Sequence, residues 1–310
     1  MMSGPGPTTQ HGIVLRGTGG VWHVRAADGV THEAALRGRL KQTDVTKLAV
    51  GDEVLLERDE RGDAWWIDAI LPRRSVLARR APGGAAGERV VAANADQVVV
   101  VFAAAQPEPH LRALDRFLVI AEANEIPARV VVNKIELRPD ARELFADYER
   151  AGYPLHFTSV KRGDGLAELR AAFDGRISAL TGPSGVGKSS LLNALYPGLD
   201  LRVGEISRSV NKGRHTTVGA ELHPLAENSY VMDTPGLREV GLWNVSPTAL
   251  DSCFPEFRPL VGECRFANCR HRLEPGCAVR AAVERGDVSA SRYESYLRLG
   301  DELAEQDKRW

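Results

Sequence analysis

The 310-residue sequence has no long apolar run, which argues against a helical membrane protein. No stretch approaches the roughly 20 consecutive apolar residues that a membrane-spanning helix requires. The opening MMSGPGPTTQ lacks the basic and apolar regions of a secretory leader. We therefore expect residues 1–10 to form a disordered leader and the protein to be cytoplasmic, with no membrane partner.

Cysteine is also scarce, and all of it lies late in the chain. The four cysteines are Cys253, Cys264, Cys269 and Cys277. A disulfide framework would not leave most of a chain without cysteine, so we expect a reducing compartment. The net charge is only -1. Any nucleic-acid partner would therefore have to be met by a local basic patch, because the average charge provides no attraction.

Residues 11–80 are predicted to form a small β-barrel. Short β-rich runs alternate there with glycine turns, and Asp28–Gly29 is a typical hairpin signal. Five such runs suggest the five-stranded OB-fold, a barrel that commonly binds single-stranded nucleic acid. The basic residues of this region are consistent with an RNA-binding stripe, or simply with a solvated face. They are Arg37, Arg39, Lys41, Arg73, Arg74, Arg79 and Arg80.

Residues 81–242 are predicted to form a parallel α/β domain. The Gly- and Ala-rich residues 81–87 are typical of a linker, and the β-branched run at 98–102 is typical of a buried parallel strand. Strand and helix patterns then alternate as far as the strand at 177–180. Residues 243–310 lose this alternation, and we expect a mainly helical, metal-binding C-terminal domain there.

The segment GPSGVGKS matches the phosphate-binding loop pattern G-x-x-x-x-G-K-[ST]. It follows a predicted strand and precedes a predicted helix, as the chemistry requires. Backbone N–H groups wrap the phosphates, Lys188 supplies a positive charge, and Ser189 coordinates Mg²⁺. The residues expected to hold the phosphates are Gly182, Pro183, Ser184, Gly185, Val186, Gly187, Lys188, Ser189 and Ser190.

The D-T-P-G segment that begins at Asp233 is expected to complete the phosphate site. Asp233 at a strand end suits a carboxylate that holds Mg²⁺, and the Gly236 N–H would lie near the γ-phosphate. Either Thr216 or Thr217 is expected to join the Mg²⁺ shell when the γ-phosphate is present, and Thr217 is preferred. His215 is a candidate for orienting water, although a loop histidine can also be merely solvated.

The segment Asn133-Lys134-Ile135-Glu136, which follows an apolar strand, indicates which base the bound nucleotide carries. It resembles the N-K-x-D motif that reads guanine, in which the carboxylate accepts hydrogen bonds from the base. Here Glu136 replaces the aspartate and is one methylene longer. The sequence therefore predicts a site for GTP.

The order of these motifs is the reverse of the usual one. The guanine-reading segment and a second base-contacting loop, expected at Ser159 and Val160, precede the phosphate loop. The same strands can form the same sheet if the chain is circularly permuted. No glutamine follows D-T-P-G, the position where Ras-like GTPases orient water. We therefore expect slow intrinsic hydrolysis, with a partner that completes the site.

The late cysteines form the pattern C-x₄-C-x-H-x₅-C, made by Cys264, Cys269, His271 and Cys277. Three thiolates and one imidazole are the ligands of a closed, structural zinc site. Cys253 lies outside the pattern and is expected to be a buried or idle thiol.

Together, the barrel, the permuted motifs and this cysteine pattern resemble the bacterial RsgA/YjeQ family. The resemblance implies a GTPase that acts late in small ribosomal subunit assembly and is stimulated by that subunit. It also implies that the barrel and the zinc module contact ribosomal RNA, and we expect a monomer. Two alternatives remain: a nucleotide-sensing RNA-binding adaptor without significant turnover, and a P-loop small-molecule kinase.

Overall fold

The computed structural model describes residues 9–38, 40, 47–59, 64–80, 88–199, 220–233 and 245–307. The chain divides into two compact units. The first comprises residues 1–96, 173–179 and 208–239, and the second comprises residues 97–172, 180–207 and 240–310.

The first unit contains a closed barrel of five strands in the order β1-β2-β3-β5-β4. Their bounds are β1 Thr9–Thr18, β2 Val21–Ala26, β3 Thr31–Leu36, β4 Glu53–Arg58 and β5 Trp65–Ile70. The barrel core is aliphatic, and Val14, Val24, Val54, Leu56 and Ile67 are all fully buried. The predicted five-stranded barrel is confirmed.

Two further groups of strands complete the first unit. Strands β6 (Val76–Arg80) and β7 (Glu88–Ala93) form a two-stranded antiparallel sheet that the sequence analysis did not predict. Strand β11 (Ile177–Thr181) neighbours β13 (Ser229–Asp233), which pairs with β12 (Glu221–Ala226) as an antiparallel hairpin. The last two residues of β11 belong to the second unit and lead into the glycine-rich loop.

The second unit contains three parallel strands in the order β10-β9-β8. Every residue of β8 is buried, which explains its continuous apolar run. Strands and helices alternate along the chain as predicted. Their bounds are β8 Gln97–Ala103, α1 Leu111–Ala123, β9 Ala128–Asn133, α2 Ala141–Arg150, β10 Leu155–Phe157, α3 Leu166–Phe173 and α4 Lys188–Leu195.

The C-terminal module, residues 245–307, also lies in the second unit and is mainly helical. It has short 3₁₀ turns at Asp251–Cys253 and Pro255–Phe257, followed by helices α5 (Ala278–Arg285) and α6 (Ala290–Asp307). Its core is aromatic: the Phe254, Phe257 and Tyr296 rings pack with centroids 5.1–5.5 Å apart. None of the helices described is long and apolar enough to cross a membrane.

A buried arginine fixes this module to the rest of the second unit. Arg292 of α6 is 1% exposed. Its guanidinium donates to Asp115 of α1 at 2.6 Å, and to both carboxylate oxygens of Glu256 at 2.7 and 3.1 Å. Burying a charge is costly unless it is paired, and here two carboxylates satisfy it. Helix α6 is therefore held in one orientation against α1.

The arginines of the barrel are less available than the sequence suggested. Arg73 forms a bidentate, buried pair with Asp52, at 2.6 and 2.8 Å. Arg37 is paired with Glu57 at 2.8 Å, and Arg74 is paired with Glu53. Arg39 and Lys41 lie outside the described residues, as do the side chains of Arg79 and Arg80. Arg73 is therefore a structural residue rather than part of a basic stripe.

Candidate nucleotide site and metal centre

The glycines of the phosphate loop are required by the backbone. Gly182, Gly185 and Gly187 have φ angles of 134°, 80° and 94°, which residues with a side chain rarely adopt. A Cβ at Gly182 would lie 2.0 Å from the carbonyl oxygen of Val101, and one at Gly187 would lie 2.6 Å from Asn133 Nδ2. These positions accept only glycine, and the loop closes tightly against its neighbours as a result.

The loop surrounds a buried ammonium group. Lys188 is 5% exposed, and its Nζ donates to the carbonyl oxygens of Gly182 at 2.9 Å and Pro183 at 2.7 Å. The buried Ser189 follows in the first turn of α4. The helix N-terminus adds a partial positive charge and free N–H groups. This end of α4 can therefore hold an anion with several negative charges, such as a polyphosphate.

The Asn133–Glu136 segment is joined directly to the phosphate loop. Asn133 donates from Nδ2 to the Val186 carbonyl oxygen at 3.0 Å, and its Oδ1 accepts from the Thr158 hydroxyl at 3.2 Å. Lys134 donates from Nζ to the Gly185 carbonyl oxygen at 2.7 Å, and also to that of Gln106. The two motifs that the sequence places about 50 residues apart thus form one site.

Glu136 has one carboxylate oxygen that no described protein group satisfies. Its Oε2 is buried and has no hydrogen-bond partner among the described residues. Burial raises the pKa of this carboxyl. A hydrogen bond from Ser159 and the charges of Arg162 and Lys161 lower the pKa by more than burial raises it, so the pKa lies below its usual value. An ionised acceptor without a partner suits the N1–H and N2–H₂ donors of guanine.

The other expected base-contacting residues lie beside Glu136. The N–H of Ile135 donates to the Thr158 carbonyl oxygen at 3.3 Å, so the two loops are held together. Ser159 is fully buried, and Val160 follows it. Thr158 belongs to the predicted second base-contacting loop, whereas Gln106 also supports this site but was given no role from the sequence. Its position after a parallel strand that neighbours β9 could have indicated it, because such strand ends meet at one edge of a sheet.

The remaining phosphate-site predictions concern residues that the structure does not describe. Asp233 is the last residue of β13, which agrees with the predicted strand end, but its side chain is outside the described part of the chain. His215, Thr216, Thr217 and Gly236 also lie outside the described residues. Their roles therefore stay predictions.

The four predicted metal ligands are brought together by the fold. The ligand atoms of Cys264, Cys269, His271 and Cys277 all lie within 4.8 Å of one another. Cys264 Sγ lies 3.5 Å from His271 Nδ1 and 4.0 Å from Cys277 Sγ. A tetrahedral zinc ion with these ligands requires about 3.6 Å between sulfur and nitrogen and about 3.8 Å between sulfurs. The cluster therefore fits a metal ion of that size.

Groups around the cluster orient and stabilise the ligands. Asp251 Oδ2 lies 3.4 Å from His271 Nε2, and the hydrogen bond from His271 holds the pKa of the Asp251 carboxyl below its usual value. Such a carboxylate fixes the histidine ring so that Nδ1 faces the metal. The sequence analysis did not identify Asp251. Cys253 is buried, and burial raises the pKa of its thiol to about 11, so its predicted role as a buried thiol is consistent with the structure.

Comparison with known protein families decides the assignment. A family model described as the RsgA GTPase matches residues 70–243, more than half of the chain, and a model of the RsgA N-terminal domain matches residues 11–66. This chain belongs to the RsgA family. The RsgA resemblance predicted from the motifs is thereby confirmed.

Individual members of the RsgA family cover nearly the whole chain. A Gemmatimonas aurantiaca protein named small ribosomal subunit biogenesis GTPase RsgA is 60% identical, over 96% of this chain and 98% of that protein. A Vibrio vulnificus protein named small ribosomal subunit biogenesis GTPase RsgA 1 is 42% identical, over 84% of this chain and 76% of that protein.

Two solved structures share the fold. YjeQ from Thermotoga maritima has a TM-score of 0.80 and 34% identity, over 96% of this chain and 99% of that one. YloQ, described as a circularly permuted GTPase, has a TM-score of 0.75 and 27% identity, over 96% of each chain. The predicted fold class is confirmed: an N-terminal barrel, a permuted GTPase fold and a C-terminal module with a Cys/His cluster.

Proposed function

We propose that this chain binds the small ribosomal subunit and assists its late maturation, hydrolysing GTP to GDP and phosphate. The observation that supports this best is the joined site: Asn133 and Lys134 bind the carbonyl groups of the phosphate loop, and Glu136 offers a buried, unpaired carboxylate oxygen beside them. The names of the RsgA relatives supply the biological process.

Different residues bind the phosphates and the base of the nucleotide. Residues 182–190 and the Lys188 ammonium hold the phosphates through backbone N–H groups and charge. Glu136 accepts from the guanine edge, and Asn133 and Lys134 support the ring through the contacts they make. Ile135, Ser159 and Val160 line the base. An ATP molecule would present a donor and an acceptor at the wrong places, so Glu136 discriminates against adenine.

The phosphate end requires Mg²⁺, which neutralises charge on the β- and γ-phosphate oxygens. We assign its protein ligands to Ser189, Asp233 and Thr217. The Gly236 N–H lies near the γ-phosphate in this proposal, and His215 orients the attacking water. Because the sequence has no glutamine after D-T-P-G, intrinsic hydrolysis is slow and the subunit accelerates it.

The other assignments follow from the cluster and the barrel. The Cys/His cluster holds one zinc ion with a structural role, because four protein ligands leave no open position. The barrel, residues 11–80, and the C-terminal residues 243–310 contact ribosomal RNA, on either side of the GTPase residues 81–242. The protein acts as a monomer in the cytoplasm.

Hydrolysis assays with purified small subunits test this function. Phosphate release is measured from GTP and from ATP, each with and without subunits. We expect slow release from GTP alone, faster release with subunits, and little from ATP. Subunit binding without acceleration would favour the nucleotide-sensing adaptor. Phosphate transfer from ATP to a metabolite would favour the small-molecule kinase.

A variant at Glu136 tests the guanine assignment separately. Glu136→Gln keeps the size of the side chain but removes the charged acceptor. Hydrogen bonds to charged groups contribute about 1.5–3 kcal/mol, so the dissociation constant for GDP should rise roughly 10- to 100-fold. Glu143→Gln, at an exposed position of helix α2, is the matched control and should leave GDP affinity unchanged. Equal affinity in both variants would contradict the assignment.

A further inference from the structure

The hairpin β12–β13 belongs to the same compact unit as the barrel. It precedes the D-T-P-G segment directly, because β13 ends at Asp233. Arg16 of β1 lies 3.4 Å from the Glu221 carboxylate of β12. Tyr230 of β13 is hydrogen-bonded to Arg25 of β2. The barrel therefore contacts both strands of this hairpin.

A further contact of the barrel with the hairpin lies at Gly51, just before barrel strand β4. Gly51 has a φ angle of 86°, and a Cβ there would lie 2.1 Å from the Ala93 carbonyl oxygen and 3.2 Å from Met232 Cε. Met232 is fully buried and is the residue before Asp233. The thioether of Met232 thus packs against a barrel position that only glycine can occupy.

The barrel side of this contact is rigid. The Gly51 N–H donates to the Val14 carbonyl oxygen at 2.9 Å, and the Gly51 carbonyl oxygen accepts from Asn94 Nδ2 at 2.9 Å. The next residue, Asp52, is fully buried and held by the Arg73 guanidinium. A displacement of the barrel therefore cannot be absorbed at Gly51 and is passed to Met232, since packed interiors deform little.

We propose that Met232, packed against Gly51 of the barrel, is a positioning residue for Asp233, through which small-subunit RNA bound to the barrel accelerates GTP hydrolysis. This inference rests on the proposed function, because it concerns how the subunit stimulates that reaction. Subunit binding biases the position of β13, and Asp233 is the last residue of that strand.

Truncation of Met232 tests the inference in the full-length protein. Met232→Ala removes the contact with Gly51, Met232→Leu keeps its volume, and Val231→Ala truncates a buried neighbour whose side chain points to the opposite face of the strand. For each variant, kcat and KM for GTP are measured with and without small subunits, and subunit binding is measured by sedimentation.

We expect the wild type and Val231→Ala to be stimulated by subunits. Met232→Ala should keep its KM and its subunit binding, and its stimulated kcat should fall about tenfold more than its basal kcat. Met232→Leu should restore the stimulated kcat. A purely structural role would instead lower the basal and the stimulated kcat by the same factor, together with subunit binding, and this result would overturn the inference.

Two further outcomes separate the inference from the function on which it rests. If subunits accelerate Met232→Ala as strongly as the wild type, the inference is wrong and the proposed function stands. If the wild type itself is not stimulated, the proposed function fails and the inference fails with it. An equal loss in Val231→Ala would show a general weakening of the hairpin and would also contradict a specific role for Met232.

Discussion

The barrel and the C-terminal module both contain clustered arginines, but the two regions use them differently. In the barrel, Arg37, Arg73 and Arg74 are all paired with carboxylates of the first unit. Beside the metal cluster, the guanidinium groups of Arg265 and Arg270 form no ion pair with a carboxylate of the described residues. Charge counted in a sequence is therefore not the same as charge available to a partner.

The two regions also differ in the interactions that stabilise them. The barrel has an aliphatic core, and its five strands close by pairing with one another. The C-terminal module has a small aromatic core, one buried arginine and a cluster of metal ligands. A small core supplies little stability, so a metal ion bound at this cluster would add a large share of it.

Removal of the metal should lower the stability of the C-terminal module, relative to that of the barrel, more than any other change. Structural zinc contributes an apparent 10–16 kcal/mol, roughly, to folding of small zinc domains. Cys269→Ser should therefore abolish stoichiometric zinc binding and unfold the C-terminal module, while barrel strands remain protected. Hydrogen exchange and metal content measure this. Cys253→Ser is the control, because Cys253 is not in the cluster, and it should keep its zinc.

Removal of the buried arginine should have the second largest effect. Arg292→Met leaves the Asp115 and Glu256 carboxylates buried without their cationic partner, so the free energy of unfolding should fall by about 3–5 kcal/mol. Urea denaturation measures it. Arg298→Ala breaks an exposed pair with Glu294 one turn along the same helix and should cost about 0.5 kcal/mol or less. Similar values for both variants would contradict the role of Arg292.

The corresponding change in the barrel should be smaller, because Arg73 has one carboxylate partner rather than two. Arg73→Met should lower the free energy of unfolding by about 3 kcal/mol, the lower end for a broken buried pair. Tryptophan fluorescence of the barrel during urea denaturation follows this. The double variant Arg73→Met with Asp52→Asn should recover part of the loss. No recovery would mean that the unpaired Asp52 charge is not the cause.

The unpaired arginines should give the smallest effect on stability but a measurable one on binding. Arg265→Ala and Arg270→Ala should each change the free energy of unfolding by no more than about 0.5 kcal/mol. If the module contacts ribosomal RNA as proposed, each should lower the slope of log affinity for small subunits against log salt concentration by about 1, since one phosphate contact is lost. Arg74→Ala, whose guanidinium is already paired, should leave the slope unchanged. Equal salt slopes for Arg265→Ala, Arg270→Ala and Arg74→Ala would contradict the proposed difference in available charge between the two regions.

The sequence predicted the parts of the molecule that depend on local chemistry. The phosphate loop needs glycine at positions with positive φ, and the pattern G-x-x-x-x-G-K-[ST] identifies those glycines in the sequence. The four metal ligands are likewise named by their own chemistry and spacing. The five barrel strands follow from alternating β-rich runs and turns.

The rest could not be predicted because it depends on which distant residues meet. Arg73 and Arg292 look like ordinary surface arginines until the fold buries them beside Asp52 and Asp115. Asp251 stands 20 residues from His271 and has no motif around it. Strands β6 and β7 pair across the segment that its composition marked as a linker. Pairing partners of this kind are set by tertiary packing rather than by local propensity.

The contact between Asn133 and Val186 has a consequence for synthesis of the protein. The two residues are 53 positions apart, and Asn133 is made first. At about 5–20 residues per second, Val186 is added to the chain roughly 3–10 s after Asn133. During that interval the nascent chain can form β8, β9 and their intervening helix, but it cannot retain GTP. Nucleotide capture is therefore delayed until α4 has been translated, well after the barrel has left the translating ribosome.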